Sequence, residues 1–254
     1  MIKMIVTDLD QTLLRTEKYI SDYTVDVLKK CQNKGIKVVF ATARSTQSAA
    51  RFVKQFPPDV FIGYGGALVL ARGQVIYRFG IPGDISNSLI NACLQEPDIS
   101  TVLAINESVA YTSQQAAIAM SDSSHYKYHQ LLGNDGTSYL KISLIANNPQ
   151  VVLGIAQRYP MCDLLQYTGE DLYRFANKEA VKWNALGAVA SYYNIDTQDI
   201  VAFGDDINDL EMIAKCGIGV AVANAVPEVV AVAKYVCATN DNDGVAQWLE
   251  ERVV

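Results

Sequence analysis

The chain reads as an α/β protein built on a parallel sheet and interrupted by an α+β module whose sheet is largely antiparallel. Three observations lead there. Short apolar runs alternate with helical periodicities at both ends of the chain. Between about residues 81 and 175 the apolar runs instead come in adjacent pairs joined by short turns. The charge is also divided unevenly: residues 81–175 hold nine acids and four bases, a net of −5, which leaves −1 for the remainder.

In chain order, residues 2–7 form an apolar run that suits a buried strand and ends at Asp8-Leu9-Asp10-Gln11-Thr12. Residues 21–34 place Tyr23, Val27, Leu28 and Cys31 three and four apart, with Gly35 as a stop, which predicts a helix. Residues 36–41 are a second buried strand delivering Thr42, and 45–56 a second helix. The middle gives strand pairs at 100–105 with 109–111 and 162–166 with 172–175, and helices at about 85–94 and 151–159. The first rhythm then returns: a helix over 178–194, a strand at 200–203, a helix from near Asn208, a strand at 218–221, and helices after Pro227 and Gly244. The expected organisation is a core of 1–80 and 176–254 with 81–175 inserted.

Composition narrows the function classes. In 254 residues, half are hydrophobic, which is enough to bury a real core. Lys+Arg 21 against Asp+Glu 27 gives a net charge of −6, a field that repels nucleic acid. Five widely spaced cysteines without a C-x-x-C pair read as reduced thiols, and no stretch reaches the length of a membrane span. A cytoplasmic protein is expected, monomeric or homodimeric, without nucleic-acid or membrane partners.

Two acidic clusters follow buried strands. Asp8 and Asp10 stand at a strand end, where open α/β sheets bind ligands. One carboxylate can bind a metal and attack phosphorus while the other exchanges protons with the leaving oxygen and water. A capped turn is the alternative. Gly204-Asp205-Asp206-Ile207-Asn208-Asp209 likewise offers either hard oxygen ligands for Mg²⁺, through Asp205 and Asp209, or helix-capping side chains. Thr42 can donate to a phosphate oxygen or simply close a turn, and Lys182 can supply a cation or sit in solvent. Lys178, four residues earlier, competes for that role. His125 and His129, the two histidines, fit a surface helix pair better than a zinc site.

Taken in order, these elements resemble the four motifs of the haloacid dehalogenase (HAD) superfamily, and most closely its Cof-type subclass IIB phosphatases. Ala41-Thr42-Ala43-Arg44, Lys182-Trp183-Asn184-Ala185-Leu186, Val222-Ala223-Asn224-Ala225 and Asn242-Asp243-Gly244-Val245-Ala246 are similar to that group's patterns. Gln11, Ala43 and Gly65 depart from it: Gly or Asp is usual at the first, Gly at the second and Asn at the third.

The resemblance implies a HAD-like Rossmannoid core with an inserted cap, and Mg²⁺-dependent hydrolysis of a small phosphate monoester such as a sugar or cofactor phosphate. In that scheme Asp8 attacks phosphorus to give an aspartyl-phosphate. Asp10 serves as acid and then base, with a pKa above that of a free Asp. Asp8, Asp10 through its carbonyl, Asp205 and Asp209 form the metal site. Thr42, Lys182 and Asn208 hold the phosphoryl oxygens, and Arg44 is either a substrate contact or a surface ion pair. The acidic cap points to a monophosphate with a neutral or cationic remainder. A sugar phosphomutase of the same superfamily and a phosphate-ligand sensor without turnover are the competing readings, and a dehalogenase would lack the second Asp.

Overall fold

The structure is a computed structural model and describes residues 1–107, 109–115, 127–166 and 170–254. The chain forms two compact units. One comprises Met1–Ser45, Ala49–Arg78 and Val181–Val254, the other Thr46–Ser48 and Phe79–Ala180.

The first unit begins with β1 (Met4–Thr7), α1 (Asp22–Asn33), β2 (Lys37–Ala41), α2 (Thr46–Gln55, apart from its first three residues), β3 (Val60–Gly63), β4 (Leu68–Ala71) and β5 (Gln74–Arg78). The second unit carries α3 (Gly83–Leu94), β6 (Ile99–Asn106), β7 (Val109–Thr112), β8 (Lys127–Gln130), β9 (Lys141–Ala146), α4 (Pro149–Arg158), β10 (Cys162–Gln166) and β11 (Leu172–Asn177). The chain returns to the first with α5 (Lys182–Tyr193), β12 (Ile200–Gly204), α6 (Leu210–Lys215), β13 (Ile218–Val222), α7 (Pro227–Val232), β14 (Tyr235–Cys237) and α8 (Gly244–Arg252).

The eight-stranded sheet of the first unit runs β14-β13-β12-β1-β2-β3-β4-β5. It is parallel from β14 to β3, and β4 and β5 extend it antiparallel. Every residue of β1 is buried because both faces are covered. Ile5 packs with Leu28, Phe40 and Trp248, while Met4 and Val6 pack with Leu186, Val189 and Met212 on the other side. Truncating a large member of such a core, such as Phe40, costs about 3–5 kcal/mol. Parallel register aligns Thr7 of β1 with Phe203 of β12 and Phe40 of β2, so the segments leaving all three strands emerge side by side.

The sheet of the second unit runs β10-β11-β9-β6-β7-β8, antiparallel except between β7 and β8. Leu89, Ile90, Val152 and Ile155 from α3 and α4 pack against Val102, Ile142, Leu144 and Phe175 on one face of it. The two expected strand pairs form, and β9, which joins them in the sheet, was not among the expected strands.

Two expectations need correction. The helix expected from 178 begins at Lys182, because Val181 is extended (φ −109°, ψ 153°) and the Asn177 side chain closes a turn by accepting the Glu179 N–H at 3.0 Å. His129 lies in β8, stacked beside Tyr111, and so forms no helix pair; His125 lies outside the described residues. The short strands β3, β4 and β5 were not foreseen at all. The five cysteines are free, and no helix among the described residues is long and apolar enough to cross a membrane.

Gly66 fixes where α5 starts. Its φ is +119°, and a Cβ there would overlap the carbonyl group of Val181, the residue before Lys182. Gly66→Ala is therefore expected to destabilise the protein by at least about 2 kcal/mol, read as a lower urea midpoint, since the side chain must displace backbone in a conformation it already disfavours.

Candidate active site

The cluster is built from strand ends. Asp8 follows β1 in extended conformation, and its N–H donates to the Phe203 carbonyl at 3.0 Å, carrying the sheet pattern one residue further. The loop then turns sharply: Asp10 is extended and Gln11 left-handed at φ 61°. That explains why Gly suits position 11 elsewhere; Gln11 bears the steric cost of this conformation, roughly 1–2 kcal/mol.

Lys182 opens α5 and is buried. Its Nζ donates to Asp8 Oδ1 and to Asp209 Oδ1, both at 2.6 Å. The other oxygen of Asp209 accepts the N–H groups of Asp205 and Asp206 at 3.2 and 3.3 Å, so this residue also caps the turn that leads into α6. Gly204 lets it fold back, since a Cβ there would overlap the Asp209 side chain. Thr12 donates to Asp205 at 2.5 Å. Lys178 takes no part; its ammonium donates to the Pro160 carbonyl at 2.9 Å.

Thr42 is buried beside these groups, and its hydroxyl accepts the Arg44 N–H at 3.1 Å. Asp8, Asp10, Thr42, Lys182, Asp205, Asn208 and Asp209 all line one cavity of about 190 Å³. Arg44 stands at its side, holding Asp10 through Nε and a terminal nitrogen at 2.6 and 2.7 Å. Lys18, which no motif flagged, adds a third contact to Asp10 at 2.8 Å. It reaches inward from a loop position at φ 62°, a conformation that sequence spacing does not reveal.

Electrostatics separate the carboxylates. Burial pushes Asp8 up against the pull of Lys182, and the neighbouring Asp209 and Asp205 add repulsion. Burial also moves Asp205 up to about 6, with the Thr12 hydrogen bond opposing and Asp209 reinforcing. Lys182 is disfavoured as a cation by burial, but Asp209 and Asp8 outweigh that and hold it charged. Asp10 runs against expectation: burial raises it, yet Arg44 and then Lys18 overcome burial and keep it below the usual carboxylate range.

One ligand oxygen from each of Asp8, Asp205 and Asp209 lies within 4.8 Å of the others, and the donors are all hard oxygens, so the cluster can hold a metal such as Mg²⁺. The fit is uneven. Both Asp209 oxygens already accept hydrogen bonds, whereas Asp8 and Asp205 each keep an oxygen that accepts none from the described residues.

Side chains from the segments after β13 and β14 hold the loop that follows β1. Asn224 donates to the Gln11 carbonyl at 2.8 Å, and Asn240 donates its side chain to the Leu14 carbonyl at 3.0 Å and its backbone N–H to Asn224 at 3.0 Å. Asp243 pairs with Arg15 through two contacts, and Asp241 accepts from the Thr16 backbone and hydroxyl at 2.7 and 2.8 Å.

Comparison with known proteins agrees with this architecture. Residues 5–249 match the haloacid dehalogenase-like hydrolase family, and the chain belongs to it. A Haemophilus influenzae protein is 30% identical over 99% of this chain and 98% of its own length. The Escherichia coli protein YbjI, named a 5-amino-6-(5-phospho-D-ribitylamino)uracil phosphatase, is 25% identical over 98% of this chain and 96% of its own. A solved Thermotoga maritima structure superposes with a TM-score of 0.86 at 25% identity, covering 100% of this chain and 98% of that one. The protein is thus an enzyme, a hydrolase of the HAD phosphatase type.

The Arg15–Asp243 tie gives a pH prediction. Burial raises Asp243, but Arg15 outweighs it and the pKa falls below the free value of 3.8. Stability from this pair is complete above that value and is lost as pH falls through the lower folded pKa. Asp243→Asn should lower the unfolding midpoint by a few degrees at pH 7, with the gap to wild type closing as the solution becomes strongly acidic.

Proposed function

We propose that the chain hydrolyses small phosphate monoesters, sugar or cofactor phosphates, by passing the phosphoryl group first to Asp8 and then to water. The observation that carries this reading is the buried Lys182 ammonium between Asp8 and Asp209, with Asp205 alongside and Asp8 keeping one oxygen free. A buried cation flanked by carboxylates at a strand end suits a dianion that must be attacked by a carboxylate. The name of YbjI, which describes a phosphorylated ribityl compound as its substrate, supports the small-ester class.

In this reading the free oxygen of Asp8 forms a bond to phosphorus as the ester P–O bond breaks. Asp10 gives its proton to the leaving oxygen, then takes one from the water that cleaves the aspartyl-phosphate. Asp8, Asp205 and the Asp10 carbonyl would hold Mg²⁺, which would supply positive charge against the repulsion between nucleophile and dianion. Asp209 orients Lys182 and the turn at 205–206 in place of binding the metal directly. Lys182, Thr42 and Asn208 hold the phosphoryl oxygens. Arg44 and Lys18 bind Asp10 as a carboxylate in the free enzyme, so Asp10 becomes an acid only when that clamp loosens on substrate binding.

Phosphate release from p-nitrophenyl phosphate should require Mg²⁺ and disappear in Asp8→Asn. Asp10→Asn should lower kcat by about 10²–10⁴-fold. Turnover in EDTA, or an Asp8→Asn enzyme of wild-type rate, would refute the reading.

A further inference from the structure

The loop after β1 bends at a residue that resists the bend. Asp10 (φ −72°, ψ 127°) and Gln11 (φ 61°, ψ 4°) carry the angles of the two central residues of a type II β-turn. The second of these positions needs a positive φ, which suits glycine and is costly for a residue with a Cβ. The competing type I turn reverses the chain with a right-handed second residue, and the peptide group between the two central residues is then rotated by roughly half a turn. Here that group consists of the Asp10 carbonyl and the Gln11 N–H. The conformation of Gln11 therefore decides which way the Asp10 carbonyl faces.

Hydrogen bonds from two distant segments oppose the preference of Gln11. Asn224, after β13, donates its side-chain amide to the Gln11 carbonyl at 2.8 Å. The Asn224 side chain is itself oriented, because its amide oxygen accepts the Asn240 N–H at 3.0 Å. Asn240, buried after β14, donates its own amide to the Leu14 carbonyl at 3.0 Å and, more weakly, to the Gln11 side-chain oxygen at 3.5 Å. Residue 11 is thus held by both its carbonyl and its side chain. A conformation that a residue disfavours persists only where its surroundings over-determine it, and such places cluster at functional sites.

We propose that Asn224, oriented by Asn240, is a positioning residue for the reaction: it keeps Gln11 left-handed and so keeps the Asp10 carbonyl turned as a ligand of the Mg²⁺ site. The inference rests on the phosphatase reading, which gives that carbonyl its role. It adds a residue that is not among those lining the cavity, and whose effect passes through the backbone of Gln11. Without the Asn224 amide, the preference of Gln11 pulls the peptide toward the other orientation, and two conformers exchange where one stood. Glycine at position 11 has no such preference, which makes the brace dispensable.

The test is calorimetric titration of the full-length protein with MgCl₂ in the absence of substrate, alongside thermal unfolding without metal, for wild type, Asn224→Ala, Gln11→Gly and the double variant. Asn224→Ala is expected to weaken Mg²⁺ binding at least about tenfold, the size typical of losing a group that orients a metal ligand. Gln11→Gly alone is expected to raise the unfolding midpoint by about 2–4 °C, since its left-handed conformation is then unstrained. The double variant is expected to recover most of the lost affinity, a departure from additivity that a merely structural asparagine would not give. Asn224→Ala that binds Mg²⁺ as wild type does, or a double variant as weak as Asn224→Ala, overturns the inference and leaves the phosphatase reading intact. A wild type that binds no Mg²⁺ overturns both.

Discussion

The first unit depends on one buried ammonium. Lys182 ties the end of β1 to the turn after β12 by donating to Asp8 and Asp209, and it does so from the first residue of α5. Removing one partner from such a buried set costs about 3–5 kcal/mol, because the remaining charges are left uncompensated. Two glycines make the tie sterically feasible. Gly66 lets the backbone before Lys182 approach closely, and Gly204 lets Asp209 turn back over the strand end. The tie thus rests on two positions where a methyl group will not fit.

The same tie sets up the chemistry. Three carboxylates share one cation in a site withdrawn from water, so the cluster holds more negative charge than it can comfortably keep. A divalent metal and a phosphoryl group together would restore the balance, the metal on the oxygens that Asp8 and Asp205 leave open, the phosphoryl group against Lys182. Asp10 stands apart under the opposite influence, with Arg44 and Lys18 stabilising its charge. Two carboxylates one residue apart therefore reach different protonation tendencies through different neighbours.

Much of this was legible in the sequence. The buried strands β1, β2, β12 and β13 declare themselves as apolar runs, and the acids after β1 and β12 meet because parallel register aligns the strand ends. Lys182 and Thr42, weak signals singly, gained meaning only from their order along the chain. What was missed has physical reasons. The side chain of Lys18 reaches Asp10 through a left-handed loop residue, and no periodicity encodes that. The low pKa of Asp10 follows from that contact and from Arg44. The start of α5 has no capping side chain to announce it, so helical periodicity overran it by a turn. Of the two roles posed for Asp209, capping is the one seen: it caps a turn with one oxygen, while the other accepts from Lys182, a contact that neither role foresaw.

The proposed reaction requires that Asp8 become covalently phosphorylated. The direct measurement is to quench the Mg²⁺-loaded enzyme with acid during turnover of p-nitrophenyl phosphate, reduce it with borohydride and sequence the peptides by mass spectrometry. Homoserine, the reduction product of an aspartyl-phosphate, is expected at position 8. Steady phosphate release with Asp8 unmodified and the modification on another residue would contradict it.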